Sequence, residues 1–384
     1  MINNFIKKED ISMSKRIMNE QQIKDMICGS TLLGGGGGGS MQNGLDLLNG
    51  YKEAHAETPV VTLITADEMK DGEYAAVTAG MGAPTAIKDI DFSPYAVNSF
   101  VALQEMATKM EAPKNLKYSI AVEMGGFNTF VPMMISLVNN IAFVDADGSG
   151  RAVPALDTLL LHINGCDTSP LAMADGKNNK VTFETMNPKD AHLAEEIGRH
   201  ICMAFGMLSG LSGWMVNRNE IINNLPNGTV TLAENIGRVI RESIALGKNN
   251  QIFEALAEQN VVECKKLVIG KVVKAENIME KGFDYGKVVI ASESDEWTIY
   301  FQNENLVISK NGKAMMTVPD VISTYDLTTG TPLTNADIKE GMDIVVGAIK
   351  VSSKWWKNPS MFEVWKPFLE KVGYTGDSLP FVEL

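Results

Sequence analysis

The stretch YSIAVEMGGFNTFVPMMISLVNNIAFVDAD, residues 118–147, decides the fold class. Its first part, 118–124, has the apolar and β-branched character of a strand, 128–140 that of a helix, and 141–147 that of a second strand. A strand, a helix and a strand with short joints form a βαβ unit, which implies parallel pairing and a right-handed crossover. The stretch therefore predicts an α/β domain with a largely parallel sheet.

Both strands of this unit end in acidic residues. Glu123 closes the first strand, and Asp145 and Asp147 close the second. Ligands of open α/β sheets bind outside the carboxyl ends of the strands, so we expect three carboxylates at one ligand-binding edge. Like charges at one strand end would also raise the pKa of one carboxylate, as a base working near neutral pH requires.

Outward from this unit, the periodicity of the chain divides it into two domains. Short apolar strands and amphipathic helices surround the unit, whereas apolar residues alternate from about Leu267 onward, which predicts a β-rich module of barrel or sandwich type. The predicted boundaries are 1–16 for a flexible tail, 17–186 for the N-terminal α/β domain and 187–384 for the C-terminal domain. The C-terminal domain is predicted to have three parts, which are a helical connection (187–262), the β-rich module (263–350) and a Trp-containing tail (351–384).

The composition excludes several function classes. The 384 residues are 45% hydrophobic, which is enough for two ordinary cores. The net charge of −13 argues against nucleic acid or an anionic membrane as partner, because both require a basic face. No stretch is long and apolar enough for a membrane helix, and the first sixteen residues lack the apolar segment of a signal peptide. We expect a cytoplasmic protein that acts on a small molecule, and the sequence leaves open whether it forms a homo-oligomer.

The cysteines and histidines do not form a recognisable metal or disulfide pattern. The four cysteines are scattered without a CxxC pair, and the four histidines lack HxH or HExxH spacing. Cys166 follows His162 by four residues, which fits a nucleophile and its base, although an inert buried thiol is the commoner arrangement.

The segment DADGSG, residues 145–150, matches the first half of an EF-hand calcium loop. The match fails at the twelfth position, where Leu156 replaces the required glutamate, and the loop follows a strand instead of a helix. A different divalent-ion site built from Asp145, Asp147 and Glu123 is one alternative. A solvated acidic turn with Arg151 as ion-pair partner is the other.

Three glycine-rich turns are candidate substrate-binding segments. The run 34–39 is either a linker or a nest of N–H groups that lets a ligand approach closely. GGFN at 125–128 begins the predicted helix, whose N-terminus either is simply capped or attracts an anion, and GMGAPT at 80–85 is a ligand-facing loop or a plain connection. The predicted substrate-binding residues are Gly35, Gly36, Gly37, Gly38, Gly82, Thr85, Gly125, Gly126 and Asn128.

Taken together and in order, motifs along the chain resemble the S-methyl thiohydantoin desulfurase family, which appears beside hydantoinase- and oxoprolinase-type proteins. They cover the chain from about residue 18 to its end and place the glycine run within the family pattern. The resemblance implies hydrolytic loss of methanethiol from an S-methyl thiohydantoin, leaving a hydantoin. The motifs are STLLGGGGGGS, GMGAPT, EMGGFNTFVPMM, FVDADGSGRAVPAL and SPLAMAD in the first half, and KLVIGKVV, YGKVVI, FQNENLV, TVPDVISTYDLTTGTPL and GMDIVVGAI in the second.

The chain departs from the family pattern at acidic positions. Ser40 stands where members usually carry aspartate after the glycine run, and Ile87 and Lys88 stand where an acidic residue usually follows the GAPT turn. The SPLAMAD segment also continues as Gly-Lys-Asn-Asn. These departures put the substrate in doubt, because an acid that contacts substrate elsewhere in the family is missing here.

A hydrolytic mechanism is consistent with these residues. A base among Glu123, Asp145 and Asp147, directly or through a metal held by the two aspartates, would activate water for attack on the ring carbon that carries the thioether. Arg151 and the N–H groups of the glycine run would hold the ring oxygen or a substrate carboxylate. The alternatives are another hydantoin- or oxoproline-type ring hydrolase, a non-catalytic partner subunit of such an enzyme, and a nucleotide-dependent enzyme, which the lack of a lysine after the glycines disfavours.

Overall fold

A computed structural model of the chain describes residues 16–82, 90–280, 283–357 and 359–381. The predicted flexible tail, 1–16, lies outside these ranges except for Arg16, which begins the first strand. Each half of the chain builds an eight-stranded sheet. Within the described ranges, no helix is long and apolar enough to span a membrane.

The first sheet is mixed, with a parallel centre. Its order is β1-β2-β5-β4-β3-β8-β6-β7, and the central strands β2, β5, β4 and β3 pair in parallel, while the outer pairs are antiparallel. The strands are β1 (Arg16–Met18), β2 (Val61–Ile64), β3 (Glu73–Gly82), β4 (Asn115–Ala121), β5 (Ala142–Asp147), β6 (Leu171–Ala174), β7 (Lys180–Phe183) and β8 (Leu208–Asn217).

Ten α-helices are present in the described part of the chain, and α4 is the crossover between the parallel strands β4 and β5. The predicted βαβ unit and the α/β class of the N-terminal half are therefore confirmed. The helices are α1 (Glu20–Leu33), α2 (Met41–His55), α3 (Ser93–Ala107), α4 (Val131–Asn139), α5 (Leu160–Ile163), α6 (Ala191–Ala204), α7 (Arg218–Asn224), α8 (Thr229–Ala245), α9 (Ile252–Glu258) and α10 (Lys366–Lys371).

The region 187–262 differs from the predicted helical connection. It contains α6 to α9, but it also supplies β8, which pairs with β3 and β6 in the first sheet. The sequence of β8, LSGLSGWMVN, is rich in small residues, and Gly210 lies against the main chain of Tyr95 in α3. Pairing and close packing, instead of intrinsic strand propensity, thus determine this strand.

The second sheet is entirely antiparallel, which confirms the β-rich C-terminal domain. Its order is β13-β12-β11-β10-β9-β16-β14-β15. The strands are β9 (Cys264–Glu280), β10 (Phe283–Ser292), β11 (Asp295–Gln302), β12 (Glu304–Lys310), β13 (Lys313–Thr317), β14 (Val321–Asp326), β15 (Pro332–Leu333) and β16 (Asp343–Ile349).

The second sheet packs with one face on its own core and with the other on the first domain. Ile299 and Ile308 belong to the core of the second domain, whereas Leu306 and Tyr325 share one apolar core with α1 and the first sheet. The Trp-containing tail joins that shared core, and the Trp355 indole N–H donates to the Ser149 carbonyl at 2.8 Å. The end of β5 is consequently buried between the two domains.

Candidate active site

The glycine run 34–39, called the glycine loop below, lies where the two domains meet. Its backbone adopts positive φ at Gly35 (57°), Gly36 (95°), Gly38 (71°) and Gly39 (85°), a region that residues with a Cβ rarely occupy. The loop follows α1 directly and ends at Ser40, the N-cap of α2. It is therefore an ordered turn between two helices and not a linker.

Both domains bind carbonyl groups of the glycine loop. On the first domain, the Gly126 N–H donates to Gly39 O at 3.0 Å and the Asn128 N–H donates to Gly38 O at 3.2 Å. On the second domain, the Asn305 N–H donates to Gly35 O at 2.8 Å and the Asn335 N–H donates to Gly36 O at 2.9 Å. The loop therefore connects the turn before α4 to β12 and the segment after β15.

Glu123 lies at this junction, two residues after the end of β4, and is 7% exposed. Its Oε1 accepts a hydrogen bond from Asn128 Nδ2 at 2.8 Å, and its Oε2 accepts one from the Val153 N–H at 2.8 Å. Burial raises the pKa of Glu123 to about 7, and the charge of Asp147 adds to this effect. The carboxyl group can therefore gain and lose a proton near neutral pH.

Asp145 serves the start of a helix. Its Oδ1 accepts from the N–H groups of Val230 (2.9 Å) and Thr231 (3.1 Å), and its Oδ2 accepts from the Thr231 hydroxyl. These donors belong to the first turn of α8, whose own N-cap, Gly228, has no side chain to offer. Asp145 therefore caps α8, although it is buried at the strand end that the sequence singled out.

Asp147 holds the turn that follows it. Its Oδ2 accepts from the N–H groups of Ser149 (3.0 Å) and Gly150 (2.6 Å), while its Oδ1 has no hydrogen-bond partner among the described residues. Burial raises the pKa of this fully buried carboxyl to about 7. Asp147 thus fixes the backbone between β5 and Arg151.

Arg151 is fully buried and joins the two domains. Its guanidinium donates to the carbonyls of Pro319 (2.7 Å), Asp320 (3.1 Å) and Asn305 (3.4 Å) on the second domain and to that of Ala152 (2.9 Å), and it lies over the Trp365 ring. Burial lowers its pKa to about 10, although the charges of Glu304, Asp320 and Glu123 oppose this shift. Its donors are thus largely committed to main-chain oxygens.

A divalent ion does not fit the two aspartates. Both oxygens of Asp145 accept hydrogen bonds from α8, and one oxygen of Asp147 accepts from its own turn. In the part of the chain that the structure describes, no group of three or more His, Cys, Asp or Glu side chains is arranged to hold a metal ion. We therefore derive no chemical step through a metal.

The structure adds a set of residues that sequence reasoning missed, at the turn between β11 and β12 and in the segment after β15. A Cβ on Gly37 would overlap the Glu304 carboxylate, and a Cβ on Gly36 would lie 2.5 Å from Asn335 Nδ2 and 2.9 Å from Asn305 Oδ1. We call Gln302, Glu304, Asn305 and Asn335 the amide–acid cluster. The sequence signal for this cluster was the polar run inside YFQNENLV. The run was part of a family motif, but no role had been assigned to its residues.

The remaining predicted glycines differ in position. A Cβ on Gly125 would overlap Gly38 O, and one on Gly126 would overlap Ser40 O, so both permit close packing of the glycine loop. Gly82 lies at the end of β3 against the Met207 main chain, and Thr85 and Lys88 lie outside the described residues. Ser40 accepts from the Asn43 N–H at 3.1 Å as the N-cap of α2. Aspartate and serine are similar N-cap residues, so this departure from the family pattern preserves the cap.

Cys166 does not have the environment of a nucleophile. It is buried, and burial raises the pKa of its thiol to about 11. A reactive cysteine requires a lowered pKa and partial exposure. The structure therefore does not support Cys166 as a nucleophile with His162 as its base.

Comparisons with known proteins point to one family. Residues 21–185 match a family model described as S-Me-THD-like, N-terminal domain, and residues 189–375 match one described as S-Me-THD-like, C-terminal domain. The X-ray crystal structure of a protein from Chromobacterium violaceum is similar to the chain with a TM-score of 0.84 at 24% sequence identity, covering 95% of this chain and 100% of that one. At this identity the likeness shows the fold. No curated protein matches the chain significantly.

Proposed function

The chain belongs to the S-Me-THD-like family, as its motifs indicated, and from this membership we propose that it hydrolyses the ring of an S-methyl thiohydantoin with release of methanethiol. The observation that carries the proposal is the position of Glu123. This buried carboxyl, with its pKa raised to about 7, lies between the glycine loop, the start of α4 and the second domain. Such a group suits a general base that works near neutral pH.

The half-buried residues Gly38, Gly39, Ser40 and Asn128 form the edge at which the junction reaches solvent. The substrate ring approaches along this edge, where the glycines bring main chain, not side chains, against it. Asn128 links the edge to the base, because its Nδ2 donates to Glu123 while its Oδ1 has no partner within the described ranges. That oxygen is suited to accept a hydrogen bond from a ring N–H.

The reaction needs one water molecule and balances without a redox partner. Glu123 removes a proton from water as the oxygen bonds to the ring carbon that carries the S-methyl group, and the C=N electron pair moves to the ring nitrogen. The hydroxyl proton of the tetrahedral intermediate passes to the ring nitrogen, the C=O bond forms as the C–S bond breaks, and the proton held by Glu123 moves to the departing sulfur. The products are a hydantoin, with a new C=O group, and methanethiol.

The test is turnover of a series of 5-substituted S-methyl thiohydantoins, with thiol release followed by a chromogenic disulfide and the ring product identified by mass spectrometry. We expect equal amounts of thiol and hydantoin. Glu123→Gln should lower kcat by about 100-fold or more, the usual contribution of a general base. The matched control is Glu195→Gln, since Glu195 is also a buried carboxylate, at 8% exposure, that accepts from a main-chain N–H, that of Leu156 at 2.9 Å.

Each contrary result would identify a different alternative. A ring-opened acid without thiol would support a hydantoin- or oxoproline-type ring hydrolase in place of a desulfurase. Failure to convert any ring would support a non-catalytic partner subunit. Equal losses of kcat in Glu123→Gln and Glu195→Gln would contradict the assignment of Glu123 as the base.

A further inference from the structure

We infer that the amide–acid cluster of the second domain is a recognition site for the imide edge, –CO–NH–CO–, of an uncharged planar ring. The inference rests on the proposed function and deepens it, because it assigns ring recognition to the second domain and leaves the base on the first. Its ligand is a hydantoin, the ring that the proposed reaction forms, because an S-methyl thiohydantoin carries C–SCH3 in place of one of the two carbonyls.

The cluster has an unusual number of unsatisfied polar atoms. Both side-chain atoms of Gln302 lack a hydrogen-bond partner among the described residues, as do Glu304 Oε2, Asn305 Oδ1 and Asn335 Oδ1. All four side chains are more than nine-tenths buried. Buried polar groups in native proteins are almost always paired, so a concentration of unpaired ones in one place indicates a site that a ligand completes.

The turn between β11 and β12 brings these atoms together. Gln302 and Glu304 are paired residues across the turn at Asn303, which has a φ of 53°. Directly opposite residues of an antiparallel pair present their side chains on the same face. Asn305 and Asn335 both lie beside Gly36, and Glu304 lies against Gly37, so the absence of glycine side chains lets the main chain of the glycine loop pack against the cluster.

The hydrogen bonds already made determine which atoms remain for a ligand. Asn305 Nδ2 donates to Ile322 O and Asn335 Nδ2 donates to Asn303 O, both at 2.8 Å, so each asparagine offers its carbonyl oxygen as an acceptor. Gln302 offers both an acceptor and an N–H donor. Burial and the charge of Glu123 raise the pKa of Glu304 well above its ordinary range, so a protonated Glu304 offers a second donor. Acceptors for ring N–H and donors for ring C=O match an imide edge.

The charges favour a neutral ring over an anion. Glu123 in its ionised form would repel a carboxylate or phosphate. Arg151, the cation beside Glu123 and Glu304, already donates to main-chain carbonyls of both domains. A ligand that supplies hydrogen bonds without net charge is therefore the better match.

The experiment measures calorimetric binding of 1,3-unsubstituted hydantoin, the ring without a leaving group, to the full chain and to Gln302→Leu. The Gln302 side chain makes no hydrogen bond among the described residues, so leucine of similar size should keep or raise the unfolding temperature. We expect Gln302→Leu to weaken hydantoin binding by about tenfold or more, the effect of losing a paired hydrogen bond. Gln302→Met is the second variant, with a more flexible side chain that adapts if leucine packs poorly.

The matched control is Thr168→Val, which removes another fully buried and unpartnered polar atom, on the segment beside β8. It should leave hydantoin binding unchanged. No binding to the unmodified chain, or unchanged binding in both Gln302 variants, would overturn the inference. Thiol release by the unmodified chain together with unchanged hydantoin binding in the variants would overturn the inference and leave the proposed function standing. Hydantoin binding that depends on Gln302, in the absence of thiol release, would support the inference and contradict the proposed function.

Discussion

Two buried polar segments close strands in this molecule, and they use their side chains differently. At the end of β5, Asp145 gives both oxygens to the first turn of α8, and Asp147 gives one oxygen to the turn that follows it. At the turn between β11 and β12, Gln302 and Glu304 keep side-chain atoms without partners in the described structure. The acidic residues of the first segment made it a candidate site in the sequence, whereas the second segment was not identified as one.

The difference helps to distinguish buried polar side chains that stabilise the fold from those that are available to bind a ligand. A carboxylate whose acceptor sites are filled by main-chain N–H groups stabilises the backbone that surrounds it. A buried side chain whose hydrogen-bond donors or acceptors are unpaired lowers the stability of the fold. It is available to a ligand that pairs with those atoms. The comparison can be tested by substitutions that should affect stability alone, activity alone or neither.

The largest effect on stability is expected at Arg151, which lies between the two segments. Arg151→Met should lower the free energy of unfolding by about 3–5 kcal/mol, because it leaves the carbonyls of both domains and three buried acids without their cation. Urea denaturation measures the change. Arg238→Met, which removes the half-exposed pair with Glu242, should cost less than about 1 kcal/mol. Equal losses for the two variants would mean that Arg151 does not hold the domains together.

Gly37→Ala should reduce activity more than stability. Its Cβ would displace the Glu304 carboxylate, and a displacement of about 1 Å in an active site can cost about 100-fold in turnover. The measurement is kcat/KM for thiol release. Gly198→Ala in α6, where the nearest atom to a new Cβ is 3.4 Å away, is the control and should remain fully active. Normal turnover in Gly37→Ala would show that the amide–acid cluster is not part of the active site.

Asp145→Ala should reduce stability without a specific effect on catalysis. The substitution removes the cap of α8 and leaves one buried and one partly buried N–H donor without an acceptor, which corresponds to about 2 kcal/mol. Chemical denaturation gives the loss, and kcat measured well below the melting temperature should stay near that of the unmodified chain. A large fall in kcat with intact stability would instead place Asp145 in the reaction.

A smaller effect is expected in the dependence of stability on pH. The folded-state pKa of Glu123 and of Asp147 is raised to about 7, above that of the unfolded chain. The folded state therefore holds these protons more tightly, so this contribution to stability is complete below the unfolded pKa and is lost as pH rises through about 7. Denaturation between pH 5 and 8.5 should show a loss that is reduced in Glu123→Gln. An identical slope in this variant would contradict the raised pKa.

The smallest effect is expected at Cys166. Cys166→Ala should leave turnover unchanged, because the thiol is buried and its pKa is raised to about 11. Slow alkylation of the native protein would agree with this. Loss of turnover in the variant would restore a nucleophilic mechanism that the geometry does not support.

Much of the fold could be predicted from local sequence pattern. The strand, helix and strand of 118–147 were predictable because each has a clear periodicity, and Glu123 followed from the rule for strand ends. Strand β8 was not predictable in this way, since its serines and glycines have low strand propensity and it forms by pairing with β3 and β6.

The candidate site was predictable on one domain only. Glu123, Asn128 and the glycine loop come from the N-terminal half, where turn and strand patterns identified them. Glu304 and Asn335 meet Gly36 and Gly37 through tertiary contacts between segments far apart in the sequence, which no local pattern encodes. The roles of Asp145 and Arg151 were also hidden, because the distant main-chain atoms that they bind appear only after folding.

The glycine loop has a consequence for synthesis on the ribosome. It leaves the exit tunnel early, but the groups that bind Gly35 and Gly36 belong to Asn305 and Asn335 and are translated much later. At about 5–20 residues per second, the loop waits on the order of tens of seconds for them. A nascent chain that stops before Asn335 therefore contains the βαβ unit and Glu123 without a completed site. Translation arrest in this interval should therefore yield an inactive N-terminal intermediate.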